Sequence, residues 1–222
     1  MVDFFTHNPT LAPAIAALVG VLVGGLLSGV FTFLNAWVMR SRDLNLKLWE
    51  RFLDRRITAH EAVVGLALKM RLMCPLGGVD SAGEVVRAPQ VMISKEAFDD
   101  WLGEFAEKST PATTWLSTPV KRELNFAQDY FVTLHTNLSE VPSGQFAAVG
   151  SFVRQDFIDL SSRLEKTAFE FFKAEARELR LNDLTEHHKY PLQETKKRLQ
   201  NTVLLSRWTE VQALIQSGQA PT

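Results

Sequence analysis

From Leu11 to Met39 the chain reads LAPAIAALVGVLVGGLLSGVFTFLNAWVM, without one ionisable side chain. This run limits what the chain can be more than any other feature. A bilayer's hydrocarbon core, about 30 Å thick, is crossed by roughly 20 apolar residues, so the run is long enough to span with room for tilt. It is expected to be a transmembrane helix. No second apolar run of this length occurs in the 222 residues, and what remains suffices for one medium domain with its own core.

Charge sets the expected orientation. The ten residues before Leu11 carry Asp3 and no Lys or Arg, whereas Arg40, Arg42, Lys47, Arg51, Arg55 and Arg56 follow Met39. Basic residues are retained on the cytoplasmic side. The expected layout is an extracytoplasmic tail at 1–10, the span at 11–39, a cytoplasmic helical bundle at 40–216 and a disordered tail at 217–222. A cleaved signal peptide would need a basic n-region and an apolar core of roughly 7 to 15 residues; neither is present, so the anchor is expected to stay. The net charge of -1 argues against a nucleic-acid partner, which selects for a strongly basic domain. Cys74, the one cysteine, leaves no intramolecular disulfide framework.

Within the anchor, Ala16, Gly20, Gly24 and Ser28 recur at every fourth position, and Gly25 with Gly29 repeats the spacing on an adjoining face. Small residues four apart let helices approach closely in lipid, where packing rather than hydrophobicity drives association. These six residues are the candidate transmembrane contact, in a homo-oligomer or with a membrane partner. Trp37, Arg40 and Arg42 read as the cytoplasmic interfacial anchor, and Asn35 as an interfacial residue. No charge lies mid-membrane, so the usual signature of a proton relay, transporter site or voltage sensor is missing.

Beyond the anchor the periodicity is helical. Residues 41–73 predict a long amphipathic helix with Leu44, Leu48, Phe52, Val63, Leu66 and Met70 on its apolar stripe. Its basic residues Arg51, Arg55 and Arg56, with Arg40 and Arg42, form a candidate membrane-proximal face for anionic headgroups; the alternative is a solvated face paired with Glu50 and Asp54. Cys74, Pro75, Gly77 and Gly78 end that helix, and the stretch to Gln90 is expected to be a linker loop or short hairpin. Ser94 caps a helix over 95–108, a polar break covers 109–114, and Thr118–Pro119 opens a helix reaching Leu138. A long helix is expected from Gln145 to Leu181, its stripe running Phe146, Val149, Val153, Phe157, Leu160, Leu164, Ala168 and Phe171. That stripe packs either within the chain or between protomers. A last helix spans 192–216, with Lys196, Lys197 and Arg198 at its start.

No catalytic set emerges. Tyr130 and His135 sit on an amphipathic helix, and the His187–His188 pair has neither an HExxH pattern nor a spaced third ligand. No nucleophile, base and orienting group can be assembled from spacing. The glycines at 77, 78 and 83 match no phosphate-binding pattern. No cofactor or metal is expected, and the chain is read as no enzyme.

The strings LKLWERFLDRRITAHEAV, SKEAFDDWLGEF and WLSTPVKRELNFAQDYF, following a single anchor, resemble those of single-pass bacterial membrane proteins with a cytoplasmic helical domain. The layout is similar to that of membrane effectors of anti-phage systems, including retron effectors. The resemblance implies an inner-membrane location and, as an alternative function, perturbation of the bilayer. The expectation drawn from the residues is an all-α protein, with one N-terminal transmembrane helix and a cytoplasmic antiparallel bundle containing two long helices. Its expected role is a tethered interaction or scaffold protein whose partners are the bilayer, further copies of itself and a cytoplasmic protein.

Overall fold

The computed structural model describes residues 11–79, 82–139, 141–175 and 188–217. The expected tail at 1–10, the stretch 176–187 with Asn182, Asp183, Glu186 and His187, and residues 218–222 lie outside these. Among the described residues the fold is all-α, with eight helices and one two-stranded hairpin. The chain divides into two compact units, Met1–Phe52 and Leu53–Thr222. The boundary falls inside the first helix, α1 (Leu11–Arg71), rather than at Arg40 where the sequence puts the end of the span.

Among the described residues of the first unit, α1 has no core to pack on. Every residue from Pro13 to Leu48 is exposed, and Trp49 and Phe52 are half-buried.

The second unit is built on helical stripes. The end of α1 buries Ala59, Val63, Leu66, Ala67 and Met70, the three-and-four spacing of one helix face. After Arg71 the chain turns into β1 (Met73–Val79), which pairs antiparallel with β2 (Val85–Pro89). Met73 faces Pro89 and Cys74 faces Ala88, and the register slips between Pro75 and Val79. Gly77, at φ +78°, supplies there the left-handed conformation that a side chain resists. A 3-10 turn, Gln90–Met92, leads to α2 (Lys95–Thr113).

Ser94 caps α2 as expected, its hydroxyl accepting from the Ala97 N–H at 3.1 Å. The polar break expected at 109–114 is instead the end of this helix, which runs through Pro111. Proline forfeits the bond to the carbonyl one turn back, and local bonds hold the turn: Thr110 Oγ1 donates to the Ala106 carbonyl at 2.8 Å and Thr113 Oγ1 to that of Ser109 at 2.7 Å. Ser109 is fully buried and accepts from Gln128 Nε2 at 3.2 Å.

Pro119 lies in the first turn of α3 (Thr118–Leu138), which buries Val120, Leu124, Ala127, Tyr130, Phe131 and Leu134. The helix expected from Gln145 is divided into α4 (Phe146–Phe152) and α5 (Arg154–Glu170), the latter extended by a π-helical turn over Phe171–Glu175. Val153, at φ -88° and ψ 7°, leaves the helical region although no Pro or Gly stands there. The two pieces have different neighbours: α4 lies against β2 and the 3-10 turn, α5 against α3. All eight stripe residues from Phe146 to Phe171 are nonetheless buried, so this seam closes within one chain. The last helix is also divided, into α6 (Leu192–Gln200), α7 (Val203–Ser206) and α8 (Trp208–Ser217).

Aromatic side chains fill the core. Trp101 meets Phe131 edge-on with centroids 4.7 Å apart, and Phe105, Phe157 and Tyr130 stand 5.3, 5.5 and 5.4 Å from Phe131, within the range in which ring pairs add to burial.

Gly150 on α4 packs against β2 and the 3-10 turn with no room for a side chain. A Cβ there would lie 2.7 Å from Met92 Cβ and 3.2 Å from Ala88 Cβ. Gly150→Ala should therefore destabilise the chain by about 1–3 kcal/mol, read as a melting temperature lower by several degrees in detergent; an unchanged melt would show that the contact yields freely.

Candidate functional site

Two sets of residues stand out, one in each unit. On the anchor, Ala16, Gly20, Gly24 and Ser28, and beside them Gly25 and Gly29, are all exposed. A Cβ added at any of the four glycines would meet nothing within 4 Å, so no contact among the described residues calls for glycine there. Arg40, Arg42 and Arg51 are exposed on the same helix.

The remaining two arginines of the expected basic face are engaged in the second unit. Arg55 places its guanidinium 5.1 Å from the Trp115 ring centroid. Arg56 is buried, donates from Nε to the Trp115 carbonyl at 3.4 Å and stacks over Phe171 at 4.7 Å. Arg56 therefore does not belong to an exposed face. The stripe of α1 rotates it toward the core, where aromatic rings and a carbonyl replace water around its charge.

Three buried polar groups of the second unit escaped sequence reasoning. His60 is fully buried. Its Nδ1 lies 2.7 Å from the Arg56 carbonyl and so carries the proton, leaving Nε2 to accept from the Ser117 backbone N–H and hydroxyl, each at 3.2 Å. The ring stacks on Phe171 at 3.6 Å. Burial pushes the imidazole down to about 4; the charges of Arg56 and Lys121 act the same way, and the bond to the Arg56 carbonyl opposes them.

Asp156, at the first turn of α5, accepts from the N–H groups of Val203 at 2.8 Å and Leu204 at 2.9 Å and from the Tyr130 hydroxyl at 3.0 Å. Burial raises its carboxyl above the usual range even though these donors favour the charge. The Tyr130 phenol is driven well above its ordinary value by burial and by the Asp156 charge. Tyr130 thus serves as a buried donor.

Glu123 on α3 accepts from the Tyr190 hydroxyl at 2.6 Å and from Arg198 Nη2 at 2.7 Å. The guanidinium lies between the rings of Phe126 and Tyr190, 4.1 and 4.2 Å from their centroids. Of the basic cluster at 196–198, Arg198 is therefore an internal partner, while Lys196 and Lys197 are exposed. Arg198 and Asp156, with Asp159, Arg163, Asn201 and Thr202, line a cleft of about 100 Å³, room for a few waters.

The other sequence candidates are not drawn together. His135 is exposed and 3.6 Å from Asp99 across α2 and α3. His188 is exposed, its carbonyl accepting from Asn125. Among the described residues no three His, Cys, Asp or Glu side chains converge as metal ligands do. Comparison with protein-family models, curated proteins and solved structures found no match.

The depressed value of His60 means that the fold favours the neutral ring. The unfolded chain binds the extra proton between pH 6.5 and about 4, so this part of the stability is complete above 6.5 and declines as pH falls through that window. Acidification from about pH 7.5 to about pH 5 should cost about 2 kcal/mol from this group, and His60→Asn should remove that part of the pH dependence in denaturant melts at both pH values. Separately, Arg198→Met leaves Glu123 buried without its cation and should cost about 3 kcal/mol; adding Glu123→Gln should recover a large part of it.

Proposed function

We propose that this chain is a membrane-tethered interaction protein without catalytic activity. It self-associates through the small-residue faces of its anchor and presents a helical domain to a cytoplasmic protein partner. In this reading α1 crosses the inner membrane of a bacterium, with the N-terminus outside and the second unit in the cytoplasm, as the Lys and Arg asymmetry favours.

The observation that carries it is the open space around Gly20, Gly24, Gly25 and Gly29. Glycine in a helix costs about 1 kcal/mol relative to alanine, and nothing among the described residues makes use of the bare backbone. Close approach of another transmembrane helix does. A long helix that one chain can span alone, with α1 long and apolar enough to do so, supplies the rest of the tether.

The test is the native mass of the full chain purified in mild detergent. A homo-oligomer that falls to monomer in Gly20→Leu/Gly24→Leu, while Val21→Leu/Leu22→Val keeps its mass, is the expected result. A monomer for the unsubstituted chain would overturn the association. Loss of membrane potential on overexpression, abolished by Gly24→Leu, would show that the assembly perturbs the bilayer instead of tethering a partner.

A further inference from the structure

The polar residues of the apolar run are not scattered. Ser28, Thr32 and Asn35 stand four and three residues apart, and the same alternation leads back to Gly25 and on to Met39 and Arg42. At 100° per residue these six fall within an arc of about 100°. Leu22, Leu26, Val30, Phe33 and Trp37 fall on the opposite side. Between Leu22 and Trp37 one side of the helix is therefore bulky and apolar, and the other small and polar.

Ser28, Thr32 and Asn35 are exposed, and no described residue hydrogen-bonds to their side chains. In α3 such groups turn back to carbonyls of their own helix: Thr133 Oγ1 donates to Asp129 at 2.8 Å, Thr136 Oγ1 to Val132 at 2.8 Å and Asn137 Nδ2 to Thr133 at 2.9 Å. With the run inside a bilayer, Thr32 and Ser28 stand about 12 and 18 Å along the axis from Arg40, deeper than a headgroup layer of about 5–7 Å. No water is at hand there, and such side chains find their partners on a neighbouring helix.

We infer that Gly25, Ser28, Thr32 and Asn35 form a hydrogen-bonded seam between parallel copies of this chain, which rests on the membrane-anchored association proposed above. Of the contact residues suggested by the sequence, Gly25 and Ser28 belong to the seam, Gly24 borders it, and Ala16 and Gly20 lie outside its arc. Asn35 is then a contact residue rather than an interfacial one.

Two features select a second copy as the occupant. An amide and a hydroxyl each donate and accept, so every polar group of the seam is its own complement when the face meets itself. Beyond the run the seam reaches Arg42, with Asp43 beside it. In a parallel pair with knobs-into-holes packing, the hole that receives residue 42 is bordered by Met39, Arg42, Asp43 and Leu46 of the facing helix, so Arg42 meets Asp43 of the second copy. The spacing also sets the geometry. Steps averaging 3.5 residues give a left-handed crossing near 20°, which keeps the two helices in contact from Gly25 to Arg42. Residues strictly four apart cross at about 40°, and such helices part within a few turns.

The experiment uses the full chain. Sedimentation equilibrium in a density-matched mild detergent should show a homo-oligomer. Ser28→Ala/Thr32→Val/Asn35→Leu should raise its dissociation constant at least about tenfold, since one hydrogen bond between membrane helices is worth about threefold. Leu26→Val/Val30→Ala/Phe33→Leu, on the opposite side, should leave it within about twofold. In native membranes, with Cys74→Ser, oxidation should link Met39→Cys into disulfide dimers and leave Trp37→Cys monomeric. An unchanged constant in the seam variant, or dimers at Trp37→Cys in place of Met39→Cys, would overturn the seam and leave association through the glycines standing. A disulfide from Met39→Cys to another protein in place of the dimer would overturn the second copy as occupant. A monomer for the unsubstituted chain would overturn the association itself, and the seam with it.

Discussion

The helical domain depends on one constraint: a helix that starts inside a protein exposes N–H groups that must be partnered there. Two of its helices meet this with buried side chains borrowed from other helices. The start of α3 directs the Ser117 N–H at Nε2 of His60 on α1, and α7 directs those of Val203 and Leu204 at Asp156 on α5. Each bond fixes the position of one element on another with far more direction than apolar packing supplies. Asp156 adds the Tyr130 hydroxyl, so one carboxylate ties α3, α5 and α7. Because a buried acceptor without its donor costs more than the bond contributes, removing either end should loosen the whole junction.

Glu123 repeats the arrangement with a cation in place of a helix end. Arg198 reaches it between two rings, so the guanidinium faces are covered by aromatic carbon while its edge meets the carboxylate. Tyr190 contributes both a ring to Arg198 and a hydroxyl to Glu123. The short helices α6 and α7 are below the length at which helices are stable alone; these polar ties, together with buried Leu204, seat them on α3 and α5.

The apolar stripes were legible in the sequence because a helix face repeats every three or four residues whatever it packs against. Val63, Leu66 and Met70 and the eight stripe positions from Phe146 to Phe171 are buried, whereas Leu44 and Leu48 of the stripe predicted over 41–73 are exposed and Phe52 is half-buried. The breaks were not legible. Val153 ends a helix through the competing neighbours of α4 and α5, and Pro111 is tolerated in one because Thr110 and Thr113 bond locally; neither cause is local composition. The buried polar groups did leave a signal. His60 is in register with Val63 and Ala67, Glu123 with Val120 and Ala127, and Asp156 with Val153 and Leu160. A polar residue at a stripe position is either an error of periodicity or a buried tie, and only the tertiary partners distinguish the two. Arg56 illustrates the converse: read by charge it joins a basic face, while read by phase it lies in register with His60 and Val63 and turns inward.

The apolar run poses a different problem, since every described side chain from Pro13 to Leu48 is exposed and none of them joins a core. In water this would be a large apolar patch of the kind that marks a membrane or protein contact. In lipid it needs no cover, because acyl chains are as apolar as leucine. Under the proposed membrane span, exposure of Leu18 or Leu22 needs no cover beyond acyl chains, whereas the glycines are not explained by lipid: a tail packs on leucine as readily as on bare backbone. The helix thereby carries small residues at positions where nothing among the described residues limits bulk, which bilayer packing by itself does not call for.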